Sequence, residues 1–252
     1  MQKIAFLADE TREAQVALEI LCKSYDAVSL NEAEVIVALG GDGFMLNTLH
    51  NTQSMALPVY GMNRGTVGFL MNEFAEENLL DRLANAEAAD INPLKMQAIC
   101  EDGSNVDALA INEVSLLRAG PQAAKLKITI DGKVRMAELV CDGALVSTPA
   151  GSTAYNYSSH GPILPIQADV LAMTAISAYR PRRWRGALLP NTACVRFDVL
   201  QPDKRPVMAD ADSRFSTRVL SVEICSDHSI SHRILFDPAH GLEERLIREQ
   251  FV

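Results

Sequence analysis

Several signatures that sort proteins at first sight are missing from this chain. No C-x-x-C pair occurs among its five cysteines (Cys22, Cys100, Cys141, Cys194, Cys225), which are scattered and odd in number. That removes the usual paired-cysteine motifs, and the thiols read as reduced, in a reducing compartment. No apolar run approaches the ~18 residues that a membrane span needs, so no membrane partner is expected. The opening run Met1 to Ala8 meets the acidic pair Asp9-Glu10. It is too short for a signal peptide and suits a first strand, so a cytoplasmic location is expected. Basic charge is also short, with 23 Lys and Arg against 32 Asp and Glu and a net charge of −9. A duplex nucleic-acid binder needs a basic footprint, so no nucleic-acid partner is expected. An anionic small substrate stays open, because a local cluster of N–H groups can override the global sign. Walker A, G-x-G-x-x-G and G-x-S-x-G are all absent. What remains is ordinary globular composition, 48% hydrophobic and 22% charged over 252 residues. That length suits one large domain or two modest ones.

Residues 1 to about 93 alternate strand and helix signals. Lys3 to Ala8 is a short apolar run, and Ala14, Ala17, Leu18, Leu21 and Cys22 then mark a helix face. Val35 to Leu39 is apolar throughout, as a strand buried on both faces of a parallel sheet should be. Phe44 to Leu49 reads as helix, Leu57 to Met62 as strand, and Leu79, Leu80, Leu83 and Ala84 as a second helix face. This alternation predicts an α/β domain with a parallel, Rossmann-like sheet. After Asn92-Pro93 the pattern turns to strands and hairpins. Leu126 to Ile130 alternates strictly and runs into the turn Asp131-Gly132. Further strands are predicted at Val106 to Ile111, Leu139-Val140, Leu145-Val146, Val195 to Leu200, Val219 to Ile224 and Ile234 to Phe236. The second half is therefore predicted to be mostly β and sandwich-like. One helix-like insertion, Asp169 to Ala178, interrupts it, and a final helix is predicted over 242–251.

The richest chemistry lies at strand ends. A buried strand runs into Gly40-Gly41-Asp42-Gly43 with a helix after it. Ligands of open α/β sheets bind at the carboxyl ends of strands, and glycines let backbone N–H groups approach phosphates. A carboxylate there repels phosphate, so it should contact a metal or a hydroxyl proton, as a kinase requires. The plainer alternative is a tight turn with Asp42 as helix N-cap, and the motif alone leaves the two even. Gly61 to Leu70 (GMNRGTVGFL) is a second glycine-rich stretch after a strand, where Arg64 can meet phosphate oxygens or simply be solvated. Asn112-Glu113 puts a donor and acceptor pair at a strand edge, although for an isolated pair a capped strand end is the better reading. Asp142 to Tyr155 joins a strand to a small-residue loop with several hydroxyls, suited to a sugar and phosphates, with a Tyr face that can stack a base. His228 and His232, four apart among polar residues, read as a solvated loop rather than a metal pair. The arginines at 180, 182, 183 and 185 around Trp184 read as an interface or solvated loop.

Taken together, four segments resemble the NAD kinase family: Gly40 to Gly43, Gly61 to Leu70, Asn112-Glu113, and Asp142 to Leu164 (DGALVSTPAGSTAYNYSSHGPIL). The first is shared with diacylglycerol kinases and, more distantly, phosphofructokinases; the long fourth is specific. The resemblance implies an α/β nucleotide-binding domain over 1–93, with the 241–252 helix packing back on it, a β-rich NAD-binding domain over 94–240, and a site between them. It implies phosphoryl transfer from ATP to the 2′-hydroxyl of NAD's adenosine ribose. Asp42 would be the proton acceptor, with Gly40, Gly41 and Gly43 against phosphates. Asn112, Glu113, Asp142, Thr153, Ala154, Tyr155, Asn156, Tyr157 and Ser158 would hold NAD, with Lys125 a weaker carry-over. The resemblance also implies a divalent cation, Mg²⁺, and a homodimer or homotetramer. It names no residue as a metal ligand. The chain departs from the family at Ala150, where Thr is common, and at Asp212-Ser213-Arg214, where Asp-Gly-Gln is frequent. A lipid kinase of the same superfamily and a non-catalytic NAD-binding regulator stand as alternatives. The fourth segment and the lack of an amphipathic membrane helix weigh against the first, and Asp42 beside phosphate weighs against the second.

Overall fold

Val35 to Leu39 carries no polar residue because the strand it forms, β2 (Val35–Gly40), is buried along its whole length. The computed structural model describes residues 3–65, 68–213 and 215–238. It divides into two units, one built from Met1–Ile91 with Ile230–Val252 and the other from Asn92–Ser229. In the first unit β1 (Ile4–Ala8) and β3 (Val59–Asn63) flank β2 in parallel, and β4 (Glu87–Ile91) closes the far edge. Helix α1 (Arg12–Ser24) buries Ala14, Ala17 and Leu21, the spacing that the sequence marked as its apolar face. Helices α2 (Asp42–Asn51) and α3 (Leu79–Asn85) follow β2 and precede β4.

The fifth strand of this sheet comes from the far end of the chain. Residues His232–Phe236 pair in parallel with β3 and antiparallel with β4. The sequence reading placed Ile234 to Phe236 with the β-rich half. One short apolar strand carries no mark of the sheet it joins, and here polar contacts decide. Asn72 Nδ2 donates to the Leu235 carbonyl, its Oδ1 accepts the Asp237 N–H, and Arg82 and the Tyr60 hydroxyl donate to the Asp237 carboxylate. The helix expected over 242–251 lies outside the described residues.

The second unit is a single antiparallel sheet of eleven strands. In chain order these are β5 (Leu94–Cys100), β6 (Asn105–Ala110), β7 (Glu113–Arg118), β8 (Ala124–Ile130), β9 (Lys133–Cys141) and β10 (Gly143–Ser147). After the short helix α4 (Tyr155–Ser158) come β11 (Val170–Ile176), β12 (Gly186–Pro190), β13 (Val195–Val199), β14 (Val207–Ala211) and β15 (Phe215–Ser226). Strand β15 branches the sheet: its first half pairs with β14 and its second half with β5. The two arms share one core, with Leu94, Leu126, Val146, Met173, Phe197 and Val222 among its members.

Two expectations are corrected here. The helix predicted over Asp169 to Ala178 is strand β11, bonded to β10 on one side and β12 on the other. Its Leu, Ala and Met composition favours helix locally, but a double ladder and burial of five successive residues override that weak preference. Two of the five cysteines are not free thiols: Cys194 and Cys225 form a disulfide. The Val195–Ile224 register of β13 and β15 brings the two residues opposite each other, a proximity that 31 residues of separation hide in the sequence.

Candidate functional site

In the first unit the site grows from the end of β2. Gly40 is required by packing, since a Cβ there would lie 2.7 Å from the Phe44 Cβ. Gly41 and Gly43 are different: a Cβ at either would meet nothing within 4 Å. Among the described residues nothing demands glycine at these two positions, which leaves room beside the start of α2. Gly41, not Asp42, is the helix N-cap, and no side chain caps the helix. The capping alternative for Asp42 therefore falls. Its carboxylate turns instead to the second glycine-rich stretch, where Oδ2 accepts the Phe69 N–H at 2.8 Å and Oδ1 the Leu70 N–H at 2.9 Å. These two bonds fix the direction of the carboxylate relative to the start of α2. Arg64 is half-buried and engaged within its own unit: its Nε donates to the Glu13 carbonyl, and its guanidinium lies 4.4 Å from the Phe74 ring centroid.

In the second unit β7 and β10 run antiparallel, with Glu113 opposite Ser147 and Leu117 opposite Gly143. Asn112-Glu113 therefore sits at one end of the pair and Asp142 at the other, with Glu113 and Asp142 on the order of 17 Å apart at ~3.4 Å per residue. Asn112 Oδ1 and Glu113 Oε2 are both buried without a hydrogen-bond partner. Buried polar atoms are normally satisfied, so two orphaned acceptors on adjacent residues mark a place that expects donors from a ligand. Burial, then the charges of Asp212 and Asp210, push the Glu113 carboxyl up to about 8. Asp142 pairs with Arg118 at 2.7 Å, in an exposed geometry that contributes little to stability. Tyr155, on α4, connects the two ends. Burial, then the charges of Glu113 and Asp142, raise its phenol above the ordinary range.

Family models match both units: the ATP-NAD kinase N-terminal domain over residues 4–89 and the ATP-NAD kinase C-terminal domain over residues 111–218. A curated NAD kinase of Cereibacter sphaeroides is 67% identical over 251 residues, covering 100% of this chain and 99% of its own length. The chain belongs to the NAD kinase family. Two solved structures share its fold at 22% identity. The yeast NADH kinase complexed with NADH has a TM-score of 0.82, covering 99% of this chain and 87% of its own; an NAD kinase from Archaeoglobus fulgidus in complex with ATP has a TM-score of 0.74, covering 99% and 97%.

Not every residue that the family resemblance nominated faces open space. Asn156 is fully buried: its Nδ2 donates to the carbonyls of Ser152 and Pro162, and its Oδ1 accepts the Thr174 hydroxyl at 2.6 Å. Both its N–H groups and one of its two oxygen lone pairs hold the loop around α4, so it braces its neighbours. Asn156→Ala is expected to destabilise the protein by about 3 kcal/mol, because it strands buried carbonyls and a hydroxyl. A urea titration that finds less than 1 kcal/mol would remove the brace. Lys125 is tied to Glu138 across β8 and β9 at 2.8 Å and has a structural role in this state. Thr153, Ala154 and Tyr155 are half-buried, and Tyr157 and Ser158 are exposed, so these stay available to a ligand. Sequence reasoning missed Thr148, whose hydroxyl donates to the Ile111 carbonyl and accepts the Gly151 N–H. It also gave no role to the carboxylates of Asp210, in β14, and Asp212, just after it, both of which act on Glu113.

The Glu113 shift has a checkable sign. The native state holds the proton more tightly than the unfolded chain, whose Glu titrates near 4.5. Its contribution to stability is therefore full below about pH 4.5 and is lost as pH rises to about 8. Glu113→Gln, neutral at every pH, is expected to match wild type near pH 4.5. It should melt roughly 3–8 °C higher at pH 8.5. Equal melting temperatures at both pH values would show that Glu113 ionises normally in the fold.

Proposed function

We propose that this chain transfers the γ-phosphoryl group of ATP to the 2′-hydroxyl of the adenosine ribose of NAD, giving NADP. The observation that carries this reading is Asp42. It stands in a glycine turn at a helix start, does not cap that helix, and is oriented by the Phe69 and Leu70 amides. A ribose hydroxyl is a poor nucleophile, so in-line transfer needs it positioned and its proton accepted or oriented. Asp42 takes that role, and Gly40, Gly41 and Gly43 bring backbone close to the phosphates. Asn112, Glu113, Asp142, Thr153, Ala154, Tyr155, Tyr157 and Ser158 hold NAD, with the orphaned acceptors of Asn112 and Glu113 receiving hydroxyl or amino protons. Two solved proteins of the same fold, one holding NADH and one holding ATP, support this pair of ligands.

Magnesium enters as part of the ATP substrate, held chiefly by phosphates and water. The enzyme works in the cytoplasm as a homodimer or homotetramer. No described helix is long and apolar enough to cross a membrane.

One assay separates the readings. Purified protein is incubated with NAD, ATP and Mg²⁺, each omitted in turn, and NADP is followed with an NADP-specific dehydrogenase. The proposed activity requires all three components. NAD binding without ATP consumption would favour a regulator, and turnover of diacylglycerol in place of NAD would favour a lipid kinase.

A further inference from the structure

Asp212 follows β14 in the left-handed backbone region (φ 52°), and Ser213 follows it there (φ 57°). Residues with a Cβ visit this region rarely, so two in succession invite a reason. The turn brings the Asp212 carboxylate to the backbone at the start of β7. Oδ2 accepts the N–H of Ile111 at 2.5 Å, and Oδ1 accepts those of Asn112 at 2.9 Å and Glu113 at 3.1 Å. The Asp212 N–H in turn donates to the Glu113 carbonyl at 3.3 Å. Three successive amides thus converge on one anion, the arrangement of a backbone nest. The two residues so held are those with orphaned buried acceptors, Asn112 Oδ1 and Glu113 Oε2.

We propose that Asp212 is a positioning residue for NAD: by pinning the 111–113 backbone, its carboxylate fixes where the Asn112 and Glu113 side chains point. The inference rests on the functional reading above. Only a carboxylate suits the task, because two oxygens must accept three N–H groups. An asparagine there would turn an NH₂ toward an amide donor. A loop held by a charge-assisted bond shifts little, whereas displacement of a binding group by about 1 Å can cost up to 10²-fold in rate. Asp212 also acts on Glu113 through space. The titratable groups that bear on Glu113 are Asp210 and Asp212 beside β14 and Tyr155 on α4. Removing the Asp212 charge therefore makes Glu113 easier to ionise.

The test compares wild type, Asp212→Asn, Asp212→Glu and Glu113→Gln in the NADP assay, with NAD and MgATP varied in turn from pH 6 to 9.5. Wild type should show one titration in the KM for NAD, absent from Glu113→Gln. Asp212→Asn should raise the KM for NAD about tenfold or more, leave that for ATP within about twofold, and move the titration to lower pH. Asp212→Glu, which keeps the charge but not the reach, should raise the KM for NAD with the titration near its wild-type pH. An unchanged KM for NAD, parallel losses for both substrates, or an unmoved titration in Asp212→Asn would overturn the proposal. Failure of both Asp212 variants to fold would also overturn it, by making Asp212 a determinant of the fold. Wild-type protein that neither binds nor turns over NAD would instead overturn the functional reading, so the two failures are distinguishable.

Discussion

Asp42→Asn is expected to lower kcat about 10³-fold while NAD binding, followed by calorimetric titration, stays within a few-fold of wild type. Groups that accept or orient a proton in the transition state contribute 10²–10⁴-fold, and the change removes the charge while keeping the shape. Fold loss does not account for an effect of that size. One of the two bonds from Phe69 and Leu70 faces an NH₂ in the variant, at a net cost of about 1 kcal/mol. Asp42→Ala sharpens the result, since it frees both amides and removes every acceptor. If Asp42 acts as a base, the two variants should fall together, because neither can take a proton. If it chiefly orients the hydroxyl, Asn keeps one acceptor and should retain more of kcat than Ala. A folded Asp42→Asn enzyme with kcat within tenfold of wild type would remove Asp42 from the chemistry.

The bond between Asp42 and the 69–70 amides also explains why a second glycine-rich stretch accompanies the first. A Cβ at Gly68 would lie 3.3 Å from Asp42 Oδ1 and 2.8 Å from Met71 Cγ. Glycine there lets the chain come close enough for the carboxylate to be gripped by backbone alone. The sequence showed both stretches, each after a strand, but not their contact, because hydrogen bonds 27 and 28 residues apart leave no local pattern.

Elements with a strong period were legible. The wholly apolar Val35 to Leu39 and the strict alternation of Leu126 to Ile130 each encode their burial, and the structure returns them as β2 and β8. What stayed hidden was decided at a distance. Val170 to Ile176 has helix-compatible composition and becomes a strand because both flanking ladders need it. His232 to Phe236 adds to the first sheet because Asn72, Tyr60 and Arg82 fasten its end. Asn156 resembled a ligand contact by its place in a motif. Only the fold reveals that Thr174, Ser152 and Pro162 consume its side chain. Asp212 was visible only as the first residue of Asp212-Ser213-Arg214, and its role was hidden because its three amide partners lie about a hundred residues earlier.

Gly151→Ala is expected to weaken NAD binding about 100-fold and to lower stability, although glycine-to-alanine changes outside strained positions usually stabilise by about 0.4–1 kcal/mol. The sign is set by what the new methyl meets. It would stand 2.2 Å from the Asn112 carbonyl oxygen, 2.4 Å from its carbon and 2.5 Å from its Cα, all backbone atoms that no rotamer change can move aside. Those atoms are also anchored: the Asn112 carbonyl accepts the Thr148 N–H at 2.9 Å, and its N–H is held by Asp212. Relief requires a shift of roughly 1 Å in the segment that carries Asn112 and Glu113, and overpacking of this kind costs about 1–3 kcal/mol or more. A hundredfold loss corresponds to about 2.7 kcal/mol, within that range. Gly43→Ala is the matched contrast. Its methyl meets nothing within 4 Å and lies inside α2, where replacing glycine gains about 0.5–1 kcal/mol. It should therefore melt higher than wild type and, on the proposed placement of the phosphates, still raise the KM for ATP. Urea titrations beside substrate KM values for both variants read the two effects separately. A Gly43→Ala enzyme with unchanged KM for ATP would show that the phosphates lie elsewhere. A Gly151→Ala enzyme with unchanged NAD affinity would show that the Asn112 backbone can yield without cost to the site.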